Sequence, residues 1–527
     1  MSVGETELSS HSLLFIIFLV VTSLICGALV MTVEILGSRV IGPFFGASLF
    51  VWTSLITVTL VGLALGYAAG GILSDRRASP DYLYCIIFLA GIAVLLVPAL
   101  KKPVMELTLP IGVRLGALSS SALLFGPALL LLGCVSPYII KIAAREVRNI
   151  GRTVGLFYAL STVGSFVGTI CTGFILIAWF PVNRIFAFIG MSLIVLAVLY
   201  FLLFRKKPFF LLLLAVPFIL PGGEAIRTKV LDNGTAVTRL YDADTFYGNT
   251  KVLEYSYGDR RMRDLLVDSA VQGGMDPSSG MSMYSYTYYL QYIPYSINPR
   301  GKNCLVIGLG VGAVPTWYES MGIVTDVVDI SPEVFAVAET YFGFRNHGGK
   351  FVEDARYFLS KSHNKYDYVI LDVFNGENTP SHVLSLEALQ LISRRMNSNG
   401  ILAVNLINSL RKEARIAGSF IKTLRQVFST VDIYPCDVPD SELNNVELFA
   451  YNFPHVQLDR DRLKSLPYHP MVAAKTRDQI GREFTLPSDA QGIILTDDYN
   501  PVDSWDLRLK EALRTLELSY TDKDMLL

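Results

Sequence analysis

Six apolar stretches crowd into the first 204 residues, each long enough to cross about 30 Å of hydrocarbon. They fall near 13–37, 49–73, 82–100, 117–142, 154–180 and 185–204. Inside a bilayer the backbone has no water to bond, so such segments close their hydrogen bonds within themselves as helices. A shorter seventh candidate, 208–222, carries Pro217 and Pro221. Small residues recur four apart, as at Gly62 and Gly66 and at Gly164 and Gly168, which predicts close helix–helix approach in a bundle. Only 17% of the 527 residues are charged, and those charges lie mostly after residue 222, where the chain reads as an ordinary globular protein. Residues 1–222 are therefore expected to form a multi-spanning domain, embedded in a lipid bilayer and identified with the inner membrane of a bacterium.

The first twelve residues hold no Lys or Arg, which argues against a signal peptide. Basic residues favour one side of the bundle: Arg76 and Arg77, then Lys141, Arg145, Arg148 and Arg152, then Arg205, Lys206 and Lys207. The opposite loops hold Arg39, Lys101, Lys102, Arg114 and Arg184. This bias puts the N-terminus in the cytoplasm. Six crossings then leave the C-terminal half in the cytoplasm as well, whereas seven place it outside; the cytoplasmic placement is expected. Glu34, within the first span, is either a functional carboxylate or one neutralised by Arg39. Cys26, Cys85, Cys134, Cys171, Cys304 and Cys436 form no CxxC or Cys/His set, so neither a disulfide framework nor a metal site is expected. A net charge of -1, with no basic stripe, excludes nucleic acid as an expected partner.

The remainder divides at about residue 298. Residues 223–298 read as a small antiparallel sheet, with turns at Asn233-Gly234 and Gly258-Asp259, followed by an aromatic-rich helix over 281–293. Residues 299–527 read as a doubly wound α/β domain of Rossmann type. An apolar run at 303–307 enters Gly308, Gly310 and Gly312, spaced so that backbone can approach a ligand beside a helix N-terminus. Asp329 follows about 20 residues on, placed for ribose hydroxyls. Asp354-Ala355 and Asp372 close the next two strands, and a fifth strand runs from Gly400 through Asn405. In such a sheet the strand ends converge on one crevice. Each acid could equally cap its following helix. The order of glycines and acids suits an S-adenosyl cofactor better than a nicotinamide dinucleotide.

Several stretches together resemble spermidine synthases fused to a membrane bundle: residues 265–268 (LLVD) followed by Gln272, the tyrosines at 284–288, residues 366–372 (YDYVILD), residues 495–501 (LTDDYNP), and in the apolar half 34–39 (EILGSR), 43–46 (PFFG) and Trp52. The resemblance implies aminopropyl transfer from decarboxylated S-adenosylmethionine to a small amine, with release of methylthioadenosine. It implies Gln272, Gly308, Gly310, Gly312, Asp329, Asp354 and Ala355 as cofactor-binding, Asp372 as the base assisted by Tyr286, Asn375 and Asp498 as substrate-binding, and a homodimer. Two positions depart from the family pattern. Val311 stands where the cofactor loop carries an Asp, and Asn375 stands where a second Asp follows the catalytic one. Both changes remove negative charge. They keep open other chemistry on intact S-adenosylmethionine (methyl or aminocarboxypropyl transfer, or cleavage) and a sensor or transporter with a degenerate domain.

Overall fold

A computed structural model describes residues 3–46, 49–146, 150–215, 227–374, 379–410, 414–438, 444–486, 492–505, 507–522 and 525. The chain forms two compact units: Met1–Ala225 with Ala243–Gly248 and Leu527, and Ile226–Asp242 with Asn249–Leu526.

The first unit contains six helices long and apolar enough to cross a membrane: Leu13–Phe45, Phe50–Arg76, Pro80–Ile111, Val113–Ala144, Gly151–Trp179 and Val182–Leu203. The spacing of small residues does what it predicts. A methyl group on Gly66 would sit 2.3 Å from the Leu130 carbonyl oxygen, and one on Gly164 would sit 2.0 Å from that of Leu24. The second helix therefore touches the fourth, and the fifth touches the first, backbone against backbone, which brings many atoms into dispersion contact. The seventh candidate is different. Pro208–Ala215 is a 3₁₀ helix of 8 residues. At about 2 Å of rise per residue it covers roughly half of a hydrocarbon core. Residues 216–222 of that candidate lie outside the described residues.

The second unit holds two sheets. The smaller is a meander of β1 (Thr228–Val230), β2 (Ala236–Thr245), β3 (Gly248–Tyr257), β4 (Arg260–Val267) and β5 (Ala270–Met275), paired in sequence order. The larger comprises β6 (Asn303–Ile307), β7 (Val324–Asp329), β8 (Lys350–Val352), β9 (Tyr366–Leu371), β10 (Met396–Asn408), β11 (Thr430–Pro435) and β12 (Asn444–Tyr451). Its order is β8-β7-β6-β9-β10-β12-β11, with β12 antiparallel to both neighbours and the β8–β10 stretch parallel. The strand order reverses at β6, flanked by β7 and β9, and the crevice for a ligand opens at the carboxyl ends there.

Sequence reading expects separate domains over 223–298 and 299–527, but the structure gives them one core. Val252, Leu265 and Met275 of the small sheet join Tyr289 and Ile293 of the helix Ser285–Ile297 and Val306 and Ile370 of the large sheet in one apolar cluster. That helix starts later than the aromatic pattern suggests, at Ser285. Ser282 bridges to Met275, and Tyr288 Oη donates to the Ser282 carbonyl at 2.6 Å, which keeps the preceding residues extended. β10 is likewise longer than its apolar run, with an irregular register between Met396 and Ile401.

Asp264, on β4, is 3% exposed and accepts a bond from Tyr284 Oη at 3.1 Å. Burial pushes its carboxyl up to about 7. An unfolded chain releases that proton near pH 4, about 3 units lower. The folded state therefore binds the extra proton between those values. Its contribution to stability is complete below about pH 4 and is lost as the pH rises towards 7. Asp264→Asn should remove that slope: in melting scans, the variant gains on the wild type between pH 4 and 7 and holds the gain above.

Candidate functional site

The site forms where β6 and β9 end side by side. Ile307 is paired with Leu371, so Gly308 and Asp372 are the next residues on adjacent strands. The Asp372 amide donates to the Ile307 carbonyl at 2.9 Å, and the Gly308 amide to that of Val328 at 2.8 Å. Gly308, Gly310 and Gly312 have φ of 91°, 53° and 78°, a backbone that side chains disfavour. The turn ends on the helix Ala313–Ser320. A methyl on Gly310 would stand 3.3 Å from the Gln272 carbonyl oxygen. β5 thus passes over the glycine turn, and the space between them is a cradle that any Cβ would narrow.

The β4–β5 hairpin puts Gln272 there. Its two loop residues, Asp268 and Ser269, have φ of 47° and 65°, the left-handed pair that a two-residue turn needs. Asp268 Oδ1 accepts from the Asn249 amide at 2.9 Å, and Arg514 Nη1 donates to the Asp268 carbonyl at 2.9 Å. On the other side of β5, a Cβ on Gly273 would lie 3.4 Å from Tyr286 Oη and 3.5 Å from Val311 Cγ2. Gln272, Tyr286, Val311 and the glycine turn are therefore neighbours.

Asp329 ties the turn from below. Its Oδ2 accepts from the Leu309 amide and its Oδ1 from the Ser331 amide, both at 2.9 Å. Burial raises its carboxyl above the ordinary range while those amides pull it back. A third amide, that of Ile330, also bonds the carboxylate, which leaves acceptor capacity for one ligand hydroxyl. Asp354 begins a helix at the end of β8. Its side chain caps the helix Ala355–Lys361 through the Tyr357 amide at 3.0 Å, and Oδ2 lies 3.4 Å from His382 Nε2. Ala355 opens that helix, half-buried.

Asp372 is the central group. Burial pushes it up to about 6, and a hydrogen bond from Asn405 Nδ2 to Oδ1 at 2.9 Å offsets part of that rise. Asn405 is itself gripped, its Oδ1 accepting from Asn445 Nδ2 at 2.9 Å. Burial, then the charge of Asp372, lift the Tyr286 hydroxyl well above its usual range, so it stays protonated and can donate. Asn375 lies outside the described residues. Asp498 is exposed, and among the described residues no hydrogen bond or ion pair joins it to Asp372; its neighbour Asp497 forms the contacts there, a bidentate pair with Arg356 at 2.6 and 2.7 Å and a bond from Ser385. Sequence reasoning missed Asn445, Cys436 and Glu447. The signal for Glu447 was an acid inside an otherwise apolar strand (VELFAY, 446–451), all of it buried bar none from Val446 onward.

Residues 283–453 match the family model described as the spermine/spermidine synthase domain. This chain carries a spermidine synthase-like aminopropyltransferase domain. The synthase domain is 29% identical over 218 residues to the polyamine aminopropyltransferase of Vibrio vulnificus, covering 39% of this chain and 70% of that one. An N-terminal histidine N-methyltransferase of Emericella nidulans is 32% identical over 139 residues, 25% of each chain. Against a probable polyamine aminopropyl transferase of Bifidobacterium longum the identity is 25%, over 40% of this chain and 46% of that one. The crystal structure of spermidine synthase from Thermotoga maritima aligns at a TM-score of 0.35 and 14% identity, over 51% of this chain and 94% of that one.

Proposed function

We propose that the protein is a membrane-bound aminopropyltransferase acting in the cytoplasm on a small amine, with decarboxylated S-adenosylmethionine as donor. One observation carries the reading. A buried carboxylate that titrates near 6 is fixed by an asparagine relay at the edge of a glycine cradle, with a tyrosine hydroxyl beside it. The cradle, the Gln272 carbonyl and Asp329 fit an adenosine: glycines leave room for it, and Asp329 retains acceptor capacity for a ribose hydroxyl. When bound, the donor supplies a carbon made electrophilic by its sulfonium and a thioether leaving group.

The chain's own residues then have two tasks, orientation and deprotonation. An amine in water is protonated and has no lone pair to attack with. Asp372, ionised above about pH 6, accepts its proton. Asn405 holds Asp372 Oδ1, which fixes the direction from which the amine is presented. Tyr286 donates its hydroxyl hydrogen to the incoming group or to Asp372. Turnover should fall as the pH drops through about 6, because protonated Asp372 cannot serve as base. Asn405→Leu removes the bond that favours the ionised form, so the acid limb of kcat/KM should move to higher pH. An unshifted limb in the variant removes Asn405 from this role.

A second reading is favoured by Val311, which is 4% exposed and offers no carboxylate to the propylamine end of a donor. Intact S-adenosylmethionine, with its own carboxylate, then becomes a credible donor. Incubation of the purified protein with each donor and a set of amines separates these outcomes. Methylthioadenosine appears on propyl-arm transfer or cleavage, and S-adenosylhomocysteine on methyl transfer. Neither product, with donor still bound, supports a sensor or transporter.

For placement, six crossings bring the synthase domain to the same side as the N-terminus, and the basic loops argue for the cytoplasm. A reporter at the C-terminus that fluoresces only in the cytoplasm should light up; a dark reporter beside a well-expressed protein reverses the assignment.

A further inference from the structure

Glu447 lies in the middle of β12 with no solvent exposure. Its Oε1 receives a weak bond from Cys436 Sγ at 3.7 Å, and its Oε2 has no hydrogen-bond partner among the described residues. A buried carboxyl left half unsatisfied costs stability, and a fold that keeps one gains something from it elsewhere.

Strand register shows where it points. Glu447 is paired with Asn405, and Val404 of the same strand with Leu371. Asp372, Asn405 and Glu447 therefore form one row across three neighbouring strands. Residues two apart on a strand share a face, and Asn445 reaches Asn405 Oδ1 from the face that Glu447 occupies. Asn405 in turn reaches Asp372. Two strand spacings, about 10 Å, separate the Cα atoms of Asp372 and Glu447, and the side chains project into the same space. The groups facing Glu447 there are Asp372, Cys436, Tyr286 and Tyr289. None of them is a cation. Among the described residues no cation is paired with either carboxyl, so the two can ionise together only when a ligand brings positive charge.

We infer that Glu447 is the counter-charge of the acceptor subsite: while Asp372 holds the attacking amine, the Glu447 carboxylate pairs with the second ammonium of a short diamine. This rests on the aminopropyl-transfer reading above. It also gives the site an acid where Val311 supplies none. Burial first, and the charge of Asp372 second, hold the empty Glu447 carboxyl well above the carboxylate range. An arriving ammonium supplies the partner that lets it ionise.

The test compares 1,4-diaminobutane with butylamine, which lacks the second ammonium, on the full chain in detergent. Calorimetry in the presence of methylthioadenosine measures binding, and methylthioadenosine release measures transfer. With Glu447→Gln, diamine affinity should fall about 10- to 100-fold, as expected for the loss of a charge-assisted bond. The ratio of kcat/KM for diamine over butylamine should fall with it. Glu447→Met, similar in volume and without a hydrogen-bonding group, repeats the comparison should the Gln form not bind methylthioadenosine. An unchanged ratio, or an equal loss for both amines, overturns the inference and leaves Glu447 a structural residue. If the wild type makes no methylthioadenosine with any amine, the transfer reading fails and binding alone decides. A diamine held tighter by the wild type than by Glu447→Gln then sustains the subsite, and a wild type that does not bind the diamine refutes it.

Discussion

Asp372→Asn should lower the turnover number for methylthioadenosine release by about 10²- to 10⁴-fold, the range expected when a positioned general base is removed. The change is nearly isosteric, and the amide can still take the bond from Asn405 Nδ2 to its oxygen. What disappears is the ability to accept a proton. The residual rate should also lose its fall through about pH 6, since the group that titrates there is gone. A melting scan shows whether the variant folds. If it folds and retains more than about half of the wild-type rate, Asp372 is not the base, whatever its position, because a base that matters contributes at least the lower end of that range.

Gly308→Ala should be the most damaging change to the donor site. The residue has φ of 91°, where a side chain carries strain of about 1–3 kcal/mol. Its new Cβ would also lie 2.1 Å from the Asp372 carbonyl oxygen, which forces β6 and β9 apart at their ends. Both the cradle and the base move together, so methylthioadenosine binding should weaken by about 10- to 100-fold or be lost, in line with that strain. Gly322→Ala separates the two causes. Gly322 has φ of 76° with nothing within 4 Å of an added Cβ. It pays about 1–2 kcal/mol of backbone strain without the collision. Equal losses of ligand binding in the two variants would mean that backbone strain alone matters and that the contact between the strand ends does not.

These two residues also mark how far the sequence could be read. Gly308 and Asp372 were both visible as the residues that end apolar runs, because a buried parallel strand is a short stretch of β-branched and aliphatic residues that stops at its turn. The six long apolar helices were visible for a similar reason: a run of about twenty apolar residues is long enough to cross a bilayer as a helix. Reading failed where a local pattern had two outcomes. Asp354 fits a ligand contact and a helix cap equally well by spacing, and the structure adds that its Oδ1 caps the following helix through the Tyr357 amide. Residues 208–215 are as apolar as any span, yet they close into a short 3₁₀ helix. Residues 281–284 have helical composition, but pairing of Ser282 with Met275 holds them extended. Asp498 is the residue the resemblance implies as substrate-binding, and no local pattern showed that its neighbour Asp497 pairs with Arg356.

The sequence alone determined the long apolar helices, the parallel strands and the glycine turn, because each depends on neighbours within about ten residues and on simple periodicity. The tertiary structure decided which distant groups share a site. Asn405, Asn445 and Glu447 meet Asp372 because β12 returns antiparallel beside β10 and fixes their register, and Gln272 meets Gly310 because a two-residue hairpin folds β5 over the turn. No local pattern encodes such encounters, since they arise from strand pairing across tens of residues, and pairing is settled by burial of the whole sheet.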